Sequence, residues 1–228
     1  MSDDVRAHEV IASMAAFGRH RLETLDPGRT FLLAVMAGGF ITFGALLSVL
    51  LATGIEQAGV QKLLLGLGFS GGFFFVVLSE AVLFTEANVV LPATLLSNRG
   101  AALRVSRFWA VAWAGNFAGA LGVGTLIAIS QDSSPATLQV LSELVEAKMA
   151  YRAGGDVWSW LQVVSSGMLA NWLVGMAAFF AFMSRTIVGK FIPVALAVTM
   201  FVAAGFQHSP GPKTCDGSGS EMPAQRYP

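Results

Sequence analysis

A hydroxyl, a carboxylate and an amide interrupt an apolar stretch that is otherwise long enough to cross a membrane. Thr85, Glu86 and Asn88 lie within the segment LFTEANVVLP, and Glu80 lies shortly before it. Ionisable residues at bilayer depth usually mark a substrate path. Irregular backbone at that depth must be buried in protein or line a polar cavity. The sequence therefore predicts a pore or a binding site at Leu83–Pro92.

A second polar pair ends the last apolar run, where Gln207 and His208 follow Phe206. An imidazole, with an unperturbed pKa of about 6.5, can donate a proton or a hydrogen bond to an anion. The Thr85 hydroxyl can both donate and accept. Interrupted spans at corresponding places in two halves point to a transport site between inverted repeats. We predict that Thr85 and His208 face each other there. The alternatives are a threonine bonded to its own helix and a histidine at the membrane interface.

The composition is typical of an integral membrane protein. Of 228 residues, 54% are hydrophobic and 12% are charged, against about 25% charged in soluble domains. The net charge of zero gives no indication of a nucleic-acid partner. A lone Cys215 and three widely spaced histidines predict no metal site, and the GxSxG, P-loop and HExxH motifs are absent from the sequence. We expect a protein of the lipid bilayer with no enzymatic activity and no cofactor.

Five apolar units follow a predicted amphipathic helix at Val10–Leu25, which we expect to lie at the membrane interface. The second unit is the interrupted one, and each of the others is long enough, or nearly so, for one crossing. The units are Phe31–Thr53, Leu63–Leu96, Phe108–Ser130, Val157–Ser184 and Phe191–Phe206. The predicted domains are an N-terminal cytoplasmic segment (1–30), a membrane channel domain (31–209) and a flexible polar tail (210–228). A cytoplasmic N-terminus places most Lys and Arg residues inside, which predicts that orientation in an inner membrane.

Small residues predict close helix packing. Gly115 and Gly119 form a small-xxx-small face that Gly122 and Gly124 extend, and glycine pairs occur at 38–39 and 71–72. Such faces let helix backbones approach each other. They predict a compact bundle and carry no information about function.

Ordered motifs make the chain similar to a known family. They are LFTEANVV, GNFAGAL, EAKMA, LANWLVG and AAGFQHS, which cover roughly residues 29–209. In these motifs the sequence resembles the formate/nitrite transporter family of pentameric anion channels. The resemblance implies an all-α, aquaporin-like inverted-repeat bundle with broken second and fifth spans. It also implies one pore per protomer of a homopentamer, and a small monovalent anion such as formate or nitrite as the partner.

The resemblance also implies roles for individual residues. His208 and Thr85 would hydrogen-bond or protonate the anion, and Lys148 would raise its local concentration. Leu83, Phe84 and Phe206 would form apolar constrictions, although aromatic residues in membrane proteins most often serve packing. Asn88, Asn116 and Asn171 would support the backbone of the broken loops. Whether transport is passive or proton-coupled stays open.

The sequence departs from the family pattern at three places. Val82 stands where an acidic residue is frequent, and Glu86 follows the LFT motif. Glu80 and Glu86 could be protonated, bonded to loop amides or placed in a cytoplasmic vestibule. After Ser209 the sequence changes to a polar tail, so we expect the sixth span to be missing. This favours a second hypothesis, a truncated inactive homologue that acts as a membrane scaffold. A neutral-solute aquaporin would carry paired NPA motifs, which are absent from the sequence.

Overall fold

The computed structural model describes residues 6–97, 99–149 and 157–204. In these ranges the chain is helical almost throughout, with a short 3₁₀ turn at Arg99–Ala101. The helices are α1 (Ala7–Thr24), α2 (Pro27–Ala52), α3 (Ala58–Ser79), α4 (Phe84–Ser97), α5 (Ala102–Ser130), α6 (Pro135–Met149), α7 (Val157–Met183) and α8 (Ile187–Ala203).

Helices α2, α3, α5 and α7 are each long and apolar enough to cross a membrane, whereas α4 and α8 are shorter apolar helices. About 20 residues at 1.5 Å each cross the hydrocarbon core. The chain is therefore a multi-pass membrane protein. The predicted helical runs at Phe31–Thr53, Phe108–Ser130 and Val157–Ser184 are confirmed, and the predicted N-terminal helix corresponds to α1. Helix α6 has no counterpart among the predicted elements, because its polar and apolar residues alternate without a membrane-length apolar run.

The first membrane helix begins before the predicted boundary at residue 31. The Asp26 carboxylate accepts hydrogen bonds from the backbone N–H groups of Gly28 (2.8 Å) and Arg29 (3.1 Å), and Pro27 occupies the first helical position. A capping carboxylate and a proline at N1 are the preferred start of a helix. The Arg29 N–H bond lowers the pKa of Asp26. This local chemistry places the start of α2 at Pro27.

The second apolar unit is interrupted, but earlier in the chain than the sequence suggested. Helix α3 ends at Ser79, Glu80–Leu83 is not helical, and α4 begins at Phe84. The expectation of irregular backbone over Leu83–Pro92 is therefore wrong for Phe84 onward. The reason is that the Ala87 N–H donates to the Leu83 carbonyl (2.9 Å), which starts a new helical turn. Glu80–Leu83 is called the break below.

In the bundle, the helices α5, α2, α3, α8 and α7 pack in that order. Helix α2 packs against α3 and α5, and α3 packs against α8, which in turn packs against α7. Gly66 of α3 lies so close to Thr199 of α8 that a Cβ would stand 2.7 Å from the Thr199 Cα. A core formed by Phe73, Leu83, Ala177 and Val198 therefore joins α3, the break, α7 and α8. The predicted second break, after α8, lies outside the described residues, as does the predicted tail 210–228.

Candidate functional site

The break is buried from Ala81 to Leu83, whereas Glu80 is exposed. Ala81 and Val82 are 0% exposed, and Leu83 is 7% exposed. Backbone groups that have left a helix at membrane depth need partners inside the protein, since lipid supplies none. The site is therefore defined by the groups that satisfy the backbone of Glu80–Leu83.

Asn116 of α5 supplies several of these partners. Its Oδ1 accepts a hydrogen bond from the Phe84 N–H (2.8 Å), and its Nδ2 donates to the Val82 carbonyl (2.8 Å). Nδ2 also donates to the carbonyl of Ala34 in α2 (2.9 Å). A single amide thus connects α2, α5, the end of the break and the first N–H of α4. It can do so because a primary amide carries both donors and an acceptor.

Arg21 of α1 satisfies the other end of the break. Its Nη2 donates to the Glu80 carbonyl (2.7 Å) and, at longer range, to the Ala81 carbonyl (3.5 Å). Its Nη1 lies 3.3 Å from Oε2 of Glu86, and both side chains are almost fully buried, at 8% and 11% exposed. The guanidinium also lies 4.3 Å from the centre of the Phe17 ring. The carbonyls at the end of α3 therefore obtain a charged donor from the N-terminal helix.

Glu80 ends α3 in the left-handed conformation, with φ 53° and ψ 26°. This conformation crowds the Cβ of an L-residue and costs about 1–2 kcal/mol. Glycine avoids that cost at a helix C-terminus. The Arg21 hydrogen bond to the Glu80 carbonyl helps to hold this geometry.

We expect Glu80→Gly to be more stable than Glu80→Ala by about 0.5–1 kcal/mol, because only glycine relieves the crowding at positive φ. Both variants remove the carboxylate, so their difference isolates the backbone effect. Thermal unfolding of the purified proteins in detergent measures it. Equal stability of the two variants would mean that residue 80 does not hold this conformation.

A cavity of about 170 Å³ opens beside the break. Apolar side chains of α1, α3 and α7 form most of its wall, including Phe17, Phe73 and Phe182. Its polar lining comes from Glu80, Glu86, Ser184 and Lys190. A liquid water molecule occupies about 30 Å³, so the space holds several water-sized molecules. The cavity therefore presents two carboxylates and one lysine beside the interruption of the span.

The structure brings some of the predicted site residues to the break and leaves others elsewhere. Leu83 belongs to the hydrophobic core that contains Ala177 and Val198. Phe84 packs against a second core cluster, which contains Val82. Thr85 and Asn88 are half-buried on α4. Asn171 is exposed on α7, and the loop backbone after α8 lies outside the described residues. Lys148 belongs to α6 but its side chain is outside the described part, and Phe206 and His208 lie beyond residue 204.

Sequence reasoning missed Arg21, although the sequence carries a signal for it. Val10, Met14 and Phe17 recur at helical spacing on the apolar face of α1, and Arg21 continues the same series. Val10 and Met14 pack against Val90 and Ala178 in the structure. An arginine on the apolar face of an amphipathic helix needs a buried partner. Glu86 is that partner, and no charged partner was predicted for this carboxylate from the sequence.

The sequence matches the model of a known protein family. The family model described as formate/nitrite transporter matches residues 8–211 of the chain. The chain belongs to the formate/nitrite transporter family. The match begins within α1, so the helix that carries Arg21 is part of the region shared with the family.

Individual members of the formate/nitrite transporter family agree with this assignment. The chain is 30% identical over 195 residues to a probable formate transporter of Methanothermobacter thermautotrophicus, covering 80% of this chain and 71% of that protein. It is 31% identical over 192 residues to the formate channel FocA of Escherichia coli K12, covering 82% of this chain and 64% of FocA. The chain thus spans about two thirds of the length of these curated relatives.

Solved structures give the same fold. The structure titled pentameric formate channel with formate bound superposes with a TM-score of 0.66 at 29% identity, over 80% of this chain and 70% of that one. An FNT family ion channel superposes with a TM-score of 0.70 at 20% identity, over 89% of this chain and 77% of that one, which supports the fold alone. The predicted aquaporin-like helical fold is therefore confirmed.

Proposed function

We propose that this protein is a channel for small monovalent anions such as formate or nitrite. The observation that carries the proposal is the buried break in the second membrane unit, with its backbone held by Asn116 and Arg21 beside a partly polar cavity. Irregular backbone inside a membrane protein is kept where it lines a path or a site. The family assignment and the formate channels among the relatives support an anion as the solute.

The proposed path runs along Thr85 and His208, with Leu83, Phe84 and Phe206 as apolar constrictions and Lys148 near one entrance. The Thr85 hydroxyl and the His208 imidazole would hydrogen-bond the anion in turn, which replaces part of its hydration shell. Exchange of water for protein ligands in this way lets an ion pass an apolar narrowing. Asn88 and Asn171 belong to the proposed support of the loops.

The proposed assembly is a homopentamer in the inner membrane, with the N-terminus in the cytoplasm. The pentameric title of the similar formate channel supports the oligomeric state. The excess of Lys and Arg on the side of the N-terminus supports the orientation. In this orientation the cavity beside Glu80 and Lys190 is the cytoplasmic entrance of the path.

Removing either hydrogen-bonding group of the path should lower flux strongly. A hydrogen bond to a charged group contributes about 1.5–3 kcal/mol, so we expect Thr85→Val and His208→Ala each to lower the flux of formate or nitrite at least about tenfold. Proteoliposomes that contain the full chain, loaded with either anion, measure the initial rate of efflux. Thr85→Ser keeps the hydroxyl and should retain most of the flux.

His20→Ala is the matched histidine control, since His20 is exposed on α1. It should leave the efflux rate unchanged. The proposal is wrong if the well-folded wild-type protein passes no small anion, or if Thr85→Val and His208→Ala both conduct as well as the wild type.

A further inference from the structure

The break presents an electrostatic problem for an anion path. Glu80 and Glu86 both line the cavity beside it, and Glu86 is only 9% exposed. An uncompensated buried carboxylate repels an anion strongly, because the low-dielectric surroundings screen little. The charges that balance these carboxylates therefore decide whether an anion can enter.

Two cations among the described residues lie near these carboxylates. Lys190 of α8 lines the cavity together with Glu80 and Glu86. Arg21 of α1 forms the buried ion pair with Glu86 at 3.3 Å. Glu80 is exposed, whereas Glu86 is buried and forms its ion pair with Arg21, so loss of Arg21 would leave the buried carboxylate without its paired charge. Glu9, Arg19 and Glu23 of α1 are exposed.

We propose that Arg21 is a positioning residue that neutralises Glu86 at the break and so keeps the entrance passable to anions. The inference rests on the proposed channel function and goes beyond it by assigning selectivity to a residue outside the path itself. Arg21 acts in two ways: its Nη2 holds the Glu80 carbonyl at 2.7 Å, and its charge cancels that of Glu86. The two contributions can be separated, because only the second depends on the Glu86 charge.

The test compares Arg21→Gln with the double variant Arg21→Gln/Glu86→Gln. Arg21→Gln leaves Glu86 unpaired, whereas the double variant leaves a neutral pair that can still hydrogen-bond. The full chain in proteoliposomes gives formate efflux per folded oligomer, and the reversal potential in a sodium formate gradient gives the selectivity. We expect Arg21→Gln to lower efflux about tenfold and to move the reversal potential toward that of sodium. The double variant should return to within about threefold of wild-type efflux, with wild-type selectivity.

Two further variants complete the test. Arg19→Gln makes the same substitution two positions away on the exposed face of α1 and should match the wild type. Arg21→Lys keeps the charge but loses the forked donor geometry. It should retain anion selectivity even at reduced flux. If Arg21→Gln does not fold, the double variant and Arg21→Lys still decide the question, since both must be anion-selective.

The outcomes distinguish the two proposals. Wild-type efflux together with unchanged efflux and selectivity in Arg21→Gln overturns the inference alone. A double variant as impaired as Arg21→Gln also overturns it, because the role of Arg21 would then be structural. Absence of efflux in the wild-type protein overturns the channel function and the inference with it.

Discussion

Replacement of Asn116 by leucine is expected to destabilise the protein by about 2–5 kcal/mol, because each buried polar group left without a partner costs about 1–3 kcal/mol. The Val82 carbonyl and the Phe84 N–H both depend on this amide, and Val82 is fully buried. The Ala34 carbonyl is less affected, since it lies within α2 and can accept an intrahelical bond. Leucine has the same number and branching of side-chain heavy atoms as asparagine and is larger, so the substitution leaves no cavity and the expected loss comes from hydrogen bonding.

The measurement is unfolding of the purified protein in detergent, together with formate efflux per folded oligomer. Thr125→Ala serves as the control, since Thr125 is a polar residue on the exposed side of the same helix. It should change stability by less than about 0.5 kcal/mol, as surface substitutions usually do. Wild-type stability in Asn116→Leu would contradict the assignment of Asn116 as the support of the break.

The second large effect is expected at Gly119, where α5 meets α2. A Cβ added there would stand 2.0 Å from the Val35 carbonyl oxygen. The obstacle is backbone, so the two helices must separate. Overpacking of this kind costs about 1–3 kcal/mol and occasionally more, and we expect Gly119→Ala to lie at the upper end. The same unfolding measurement in detergent tests this prediction.

Gly122→Ala is the matched control, one helical turn away. Among the described residues nothing lies within 4 Å of a Cβ at Gly122. The substitution should be neutral or slightly stabilising, because alanine is favoured over glycine in helices by about 1 kcal/mol. If Gly119→Ala and Gly122→Ala behave alike, the close approach of α2 and α5 at Gly119 is wrong.

The glycine pattern illustrates how far sequence reasoning reaches. The small-xxx-small face at Gly115 and Gly119 was predicted, and both glycines contact α2 closely. The predicted extension to Gly122 and Gly124 is not matched by any neighbour in the described part of the chain. A repeated small residue predicts that a helix can be approached. The pattern does not indicate how many turns of that helix the neighbouring helix contacts.

The break illustrates a different limit. The polar residues of LFTEANVVLP predicted an interruption, and the structure contains one, but at Glu80–Leu83. The location depends on which backbone groups find partners. Those partners include Arg21, Asn116 and the Leu33 carbonyl, which are far from the break in sequence. No local pattern identifies such partners, so the polar residues alone predicted an interruption further along the chain than the one in the structure.

The sequence by itself determined the membrane location, the order of the apolar units, the interruption of the second one and the family resemblance. These follow from hydropathy and from motifs, which are local along the chain. Only the tertiary structure decided that Arg21 pairs with Glu86, that Asn116 connects α2, α5 and the break, and that α3 packs against α8. The physical reason is that lipid supplies no hydrogen bonds. The backbone groups that leave a helix must therefore be satisfied by side chains or backbone groups that the fold, rather than the neighbouring sequence, brings to them.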